Sequence, residues 1–162
     1  MKHLLVAFVA FISLTACAQS RKSPHDTVST KDLTLTYGRP YKKGRDIFGS
    51  LEKYGVVYRL GADEATIITF KHDAKFAGKP VKAGSYTMFV IPNETTWTFI
   101  LNSQLGQWGA FKYEENKSKD VLHVDVPVKK LDTVVEQLTI SFPGKVMRVE
   151  WDKTKVEVPL SF

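Results

Sequence analysis

Cysteine is almost missing: the 162 residues contain one, Cys17, so an intramolecular disulfide is impossible and a disulfide-stapled scaffold is excluded. No apolar run approaches the roughly 20 residues that a membrane-spanning helix needs. Glycine and proline are sparse, at 10 and 7 residues, and follow no collagen-like period. Histidine numbers four, and His25, His72 and His123 have no metal-ligand spacing between them. Neither H-E-x-x-H nor G-x-S-x-G occurs, so the expected cofactor is none and the expected metal is none. Internal repeats at solenoid or propeller periods are also missing. What remains, with 43% hydrophobic and 25% charged residues, has the composition of one ordinary globular domain.

The N-terminus supplies an address. A basic start, an apolar run from Leu4 to Ile12 and small residues before Cys17 have the layout of a secretory signal. Leu14-Thr15-Ala16-Cys17 resembles a bacterial lipobox, in which small residues admit the signal peptidase and the cysteine thiol takes a diacylglyceryl group. The reading is a lipoprotein signal peptide over 1–16, an acylated Cys17 opening a flexible tether over 17–31, and a folded domain over 32–162. Each buried methylene contributes about 0.8 kcal/mol, so two or more acyl chains hold a protein stably at a bilayer. Ala18 after the cysteine, in place of Asp, is expected to send the protein to the outer membrane, facing the periplasm.

From Asp32 onward the dominant period is two. Leu33, Leu35 and Tyr37 alternate with threonines, and Trp97, Phe99 and Leu101 repeat the pattern, as do Leu122, Val124 and Val126. Val56–Leu60 and Ala65–Phe70 are expected strands. Tyr86–Ile91 is apolar on both faces and is expected to be central, joined to the next strand through 92–95. Pro127 marks an edge or a bulge. Runs at 138–142, 147–151 and 156–160 complete about nine strands, the last two joined by a hairpin at Asp152-Lys153. The expected fold is all-β: a single antiparallel β-sandwich or jelly-roll-like domain. One short helical turn is expected at 46–54, with Ile47 and Leu51 docked inward, and a surface loop at 104–120.

The formal net charge of +6 is unevenly placed. Residues 17–60 hold nine basic and four acidic side chains, a net of +5, whereas residues 61–162 hold thirteen of each. Four positive charges fall within Arg39–Arg45, interleaved with Tyr41 and flanked by Tyr37, Phe48 and Tyr54. Guanidinium forks suit phosphates and carboxylates, and aromatics can stack on rings. In an exported, tethered protein nucleic acid is a poor partner; anionic lipid headgroups or acidic glycans fit the compartment.

Two stretches, Tyr37-Gly38-Arg39-Pro40-Tyr41-Lys42-Lys43-Gly44-Arg45-Asp46-Ile47-Phe48-Gly49 and Tyr54–Thr66, resemble the domain of unknown function (DUF) 2911 family of bacterial envelope proteins. The resemblance continues through 78–86, Trp97–Asn102 and Leu105–Ala110, and so covers nearly the whole domain. It departs at Tyr58, where the family commonly has Trp, and at Asp63, where it commonly has Asn; an acid at 63 cannot donate as an amide would. The resemblance implies a compact exported domain and no established reaction.

Candidate ligand-binding residues are therefore Arg39, Tyr41, Lys43, Arg45, Arg59, Glu64 and Trp108. Asp63 and Glu64 would face opposite sides of a strand and converge only in a turn. Trp108, between glycines, either plugs the end of the sandwich or offers a stacking platform. The leading expectation is a non-catalytic binding or structural module for an anionic ligand. The rival is an envelope enzyme acting on a phosphorylated or carboxylated substrate with Glu64 and Arg39, Arg45 or Arg59, which requires those groups to converge around a buried Glu64.

Overall fold

The computed structural model describes residues 21–162; Cys17, the segment expected to be a signal peptide and the first part of the expected tether lie outside them. The domain is an antiparallel β-sandwich of nine strands. These are β1 (His25–Ser29), β2 (Leu33–Gly38), β3 (Ile67–Phe70), β4 (Ala74–Phe76), β5 (Lys79–Val81), β6 (Gly84–Ile91), β7 (Thr96–Asn102), β8 (Asp120–Ser141) and β9 (Val146–Ser161). Hydrogen-bonded neighbours run β1-β2-β3-β6-β7-β8-β9-β4-β5, and the sheet does not close.

This sheet folds over on itself. Phe99 on β7 and Phe76 on β4 belong to strands three positions apart, about 14 Å in a flat sheet, yet their ring centroids are 5.9 Å apart. Phe70 on β3 is five positions from β4, and its ring lies 6.4 Å from Phe76. The fold-over is made by β8, whose residues up to Pro127 pair with β7 and whose residues from Val128 pair with β9. Pro127 thus stands where the strand changes partners, as its missing N–H permits. Tyr37 fixes the other seam, its hydroxyl accepting from Ile140 N at 2.9 Å.

The alternating residues read from the sequence form one core. Leu33, Leu35, Tyr37, Trp97, Phe99, Leu101, Leu122, Val124 and Val126 are all buried within it. β6 is central and buried from Thr87 to Val90, and its second apolar face is covered. There Phe89 and Ile100 pack with Ala65 and Tyr113, the latter on the short helix α1 (Tyr113–Asn116). The loop expected over 104–120 is therefore partly helical and serves as a lid on the outer face of β6 and β7.

Several expectations are corrected. Val56–Leu60 is no strand; it is reduced to one bridge between Tyr58 and Val90, because Leu60 and Asp63 take positive φ and end any extended run. The helical turn expected over 46–54 is instead a tight turn. Gly49 has φ +87°, and its N–H donates forward along the chain to Glu52 O at 2.9 Å, against the helical direction. Ile47 docks inward as expected, but Leu51 is 42% exposed. No hairpin forms at 152–153: Asp152 at φ +54° makes an irregularity within a continuous β9. Part of the segment read as tether is ordered, since β1 pairs with β2 along its whole length.

Candidate functional site

Between Tyr58 and Thr66 the chain leaves the edge of β6 and returns to it. Tyr58 exchanges backbone hydrogen bonds with Val90 at 2.7 and 2.9 Å, and Met88 N donates to Thr66 O at 2.7 Å. The excursion Arg59–Ala65 between these two points is locked by three internal bonds. Thr66 N donates to Arg59 O at 3.2 Å, Thr66 Oγ1 to Leu60 O at 2.7 Å, and the Tyr58 hydroxyl to Gly61 O at 3.0 Å. Leu60 and Ala62 are buried, so the excursion packs as core and presents Arg59 at its start and Asp63-Glu64 at its tip.

Asp63 and Glu64 do converge, being in a turn, and what they hold is the incoming chain. Asp63 Oδ2 accepts from Lys22 N at 3.1 Å and Ser23 N at 3.2 Å. Glu64 pairs with Arg21 at 2.8 Å, and that partner holds its carboxyl below the usual range. His25 Nε2 lies 3.4 Å from a carboxylate oxygen of each acid. Asp63 acts only as an acceptor here, which a carboxylate does as well as an amide.

The basic segment is split between two roles. Arg39 is structural: its guanidinium meets Asp26 at 3.2 Å, Leu138 O at 3.2 Å and Thr139 Oγ1 at 3.1 Å, tying β1 to β8. Lys42 is likewise engaged, its ammonium 3.1 Å from Asp152. Lys43 N donates to Glu136 Oε1 at 2.7 Å and Tyr41 bridges to Gln137, with both side chains at the surface. Arg45 stacks its hydrogen bonds on its own turn, donating to Lys42 O at 2.9 Å and Tyr41 O at 2.6 Å. We expect Arg39→Ala to lower stability by about 2 kcal/mol, the scale of charge-assisted hydrogen bonds lost to a partly buried partner, and to leave anion affinity unchanged; urea unfolding and titration of the folded variant check the two halves.

Arg45 and Arg59 face a common cleft of about 230 Å³ whose wall also carries Lys22, Glu52, Asp63 and Trp151. Arg59 makes no side-chain hydrogen bond or ion pair among the described residues, and its Nε is buried without a partner. Glu52 was not singled out by sequence reasoning. Its backbone N donates to Ile47 O at 2.9 Å, so the Ile47 anchor sets its position. Burial pushes its carboxyl up to about 7, with Arg59 and Arg45 pulling the other way. A buried carboxyl raised in this way beside two guanidiniums in a cleft is a candidate functional group.

On the far side of the Glu52–Arg59 pair lies a second cavity, of about 280 Å³, walled by Val56, Val57, Tyr58, Ala110 and Phe111. A third, of about 620 Å³, is walled by 104–108, Phe111 and α1. Trp108 is half-buried in this third wall and bridges to Glu64. The structure therefore brings Arg45 and Arg59 together in the cleft and Glu64 and Trp108 together outside it, and leaves Arg39, Tyr41 and Lys43 off the cleft wall. Glu64 is half-exposed and neutralised by Arg21, so the convergence that the enzyme expectation required of it does not occur.

The family comparison identifies a match over residues 19–160 to a model described as "Protein of unknown function (DUF2911)". Neither the curated proteins nor the solved structures contain a match.

Proposed function

The chain belongs to the DUF2911 family, and on that premise we propose that it is a membrane-anchored envelope lipoprotein whose domain is a non-catalytic binding module for an anionic ligand. One observation carries the binding site: Arg59 presents a guanidinium to a cleft without a hydrogen-bonded or ion-paired side chain among the described residues. The guanidinium feels the Glu52 carboxyl and lies 6.0 Å from the Tyr58 ring centroid, but its buried Nε has no hydrogen-bond acceptor, and an incoming phosphate or carboxylate supplies one. Arg45 and Lys22, from two other segments, add charge to the same cleft.

The binding test is titration of the chain with glycerol phosphate over a salt series. Saturable binding that weakens as salt rises is expected, since the contacts are ionic and partly open to solvent. No binding at low salt removes the proposal. The anchor is tested separately: radiolabelled palmitate should enter the wild-type chain and be lost in Cys17→Ser. Label persisting in that variant refutes acylation at this position.

A second reading is favoured by Glu52 alone. A carboxyl near 7 beside two guanidiniums suits general acid–base work on a phosphorylated or carboxylated substrate. In that reading Glu52 takes the role expected of Glu64. Turnover that Glu52→Gln abolishes while leaving substrate binding intact would select it.

A further inference from the structure

The cleft, the apolar cavity beside it and the point where the chain enters the domain lie on one face, and their arrangement specifies what that face meets. We infer that this face lies on the membrane carrying the anchor, with an anionic phospholipid as the ligand, its phosphate between Arg45, Arg59 and Lys22. This rests on the readings of the cleft as an anion site and of Cys17 as acylated, and adds the occupant.

Three observations carry it. The chain does not reach the domain through a long free tether: Arg21, Lys22 and Ser23 are clamped by Glu64 and Asp63 at 2.8 to 3.2 Å. Four peptide steps separate Cys17 from Arg21, a reach of at most about 14 Å. An acylated Cys17 therefore brings the bilayer to the cleft, because Lys22 and Ser23 are themselves part of the cleft wall. Next, exposed apolar side chains stand among the polar groups beside the cleft. Phe111 is 81% exposed and Val56 54%, and Leu51 and Tyr54 are also exposed. Phe111 and Val56 flank the cavity that shares Glu52 and Arg59 with the cleft. Finally, the charge is complementary: cationic side chains next to exposed aromatic and aliphatic ones match the interface of a bilayer with an anionic surface. A soluble acidic glycan would satisfy the cleft but leave Phe111 and Val56 in water.

The test uses the full acylated chain in nanodiscs. Cys17 is the only native cysteine and is blocked by acylation, so Phe111→Cys and Phe162→Cys each offer one free thiol for a nitroxide. Phe162 serves as the reference because it is exposed beside His72, at the opposite end of the strands. In discs containing phosphatidylglycerol, the label at 111 should lose collisions with a water-soluble nickel chelate and gain them with oxygen, while the label at 162 stays in water. Adding Arg45→Gln with Arg59→Gln, or using phosphatidylcholine alone, should return the label at 111 toward water. Equal chelate access at 111 and 162 in anionic discs overturns the inference, as does a chain that carries no acyl group. Titration with glycerol phosphate distinguishes the failures. If that probe still binds through Arg45 and Arg59 while the label at 111 stays in water, the anion site stands and its membrane assignment falls. If no anion binds, both fall.

Discussion

Replacing Gly38 with alanine is expected to destabilise the domain by about 3 kcal/mol, at the upper end of what overpacking a dense interior costs, and to loosen the anion site with it. A Cβ at this position would sit 2.2 Å from Ala62 O and 2.9 Å from Ala62 N and C, all backbone atoms. Flexible side chains can move aside, but these atoms belong to the locked Arg59–Ala65 excursion, so the end of β2 and the excursion must separate. Arg59 and Asp63 move with the excursion, and both the cleft and the clamp on Lys22 and Ser23 suffer. Gly144→Ala is the control. It lies in a turn at φ +64° with nothing within 4 Å of the added carbon, so its cost is the local one of a left-handed alanine, about 1 kcal/mol. Urea denaturation should give a midpoint for Gly38→Ala well below that of Gly144→Ala.

The second large effect is on binding. Arg45→Ala with Arg59→Ala should reduce affinity for glycerol phosphate roughly 100-fold or more, since each charge-assisted hydrogen bond is worth about 1.5–3 kcal/mol and two are removed. Arg59 should account for the larger share. Its guanidinium makes no hydrogen bond among the described residues, whereas Arg45 already donates to Lys42 O and Tyr41 O at 2.9 and 2.6 Å. Fold integrity is not at stake, because neither guanidinium joins separate strands as that of Arg39 joins β1 to β8.

How much of this was visible in the sequence depends on how local the cause is. Leu33, Leu35 and Tyr37, or Trp97, Phe99 and Leu101, announce strands because one face meets the core and the other meets water or polar groups. The same logic identified β6 as buried on both faces, although what covers it, Tyr113 on α1, could not be named. β8 and β9 read as pairs of shorter strands because polar residues at 129–137 and 152–155 resemble turns, whereas the structure absorbs them as irregularities in long strands. β1 was missed because an edge strand five residues long needs little apolar patterning.

For the site, the clustering of charge at Arg39–Arg45 was plain, but its division of labour was not. Arg39 is occupied by Asp26, thirteen residues upstream, and by Leu138 and Thr139 about a hundred residues downstream. Such pairings are set by topology, not by spacing. Glu52 was passed over for a related reason, since its sequence neighbours Leu51 and Lys53 give no hint of burial. A carboxyl becomes unusual through desolvation, which only the packed chain supplies.

Glu52 also ties stability and binding to pH. Its folded value of about 7 lies above the unfolded value of 4.5, so between those pH values the folded chain holds a proton that the unfolded chain has released. Stability from this group is thus greatest below about pH 4.5 and falls as pH rises toward 7; in Glu52→Gln that fall should disappear. The same ionisation places a negative charge in the anion cleft, faced by Arg59, Arg45, Tyr58, Lys22 and Asp63.

A calorimetric titration of the chain with methyl sulfate, a probe with constant charge from pH 5 to 8, isolates that effect. Affinity should fall as pH rises through about 7, stay level in Glu52→Gln, and vanish in the Arg45→Ala, Arg59→Ala double variant. Binding that ignores pH and survives loss of both arginines would contradict an anion site in this cleft.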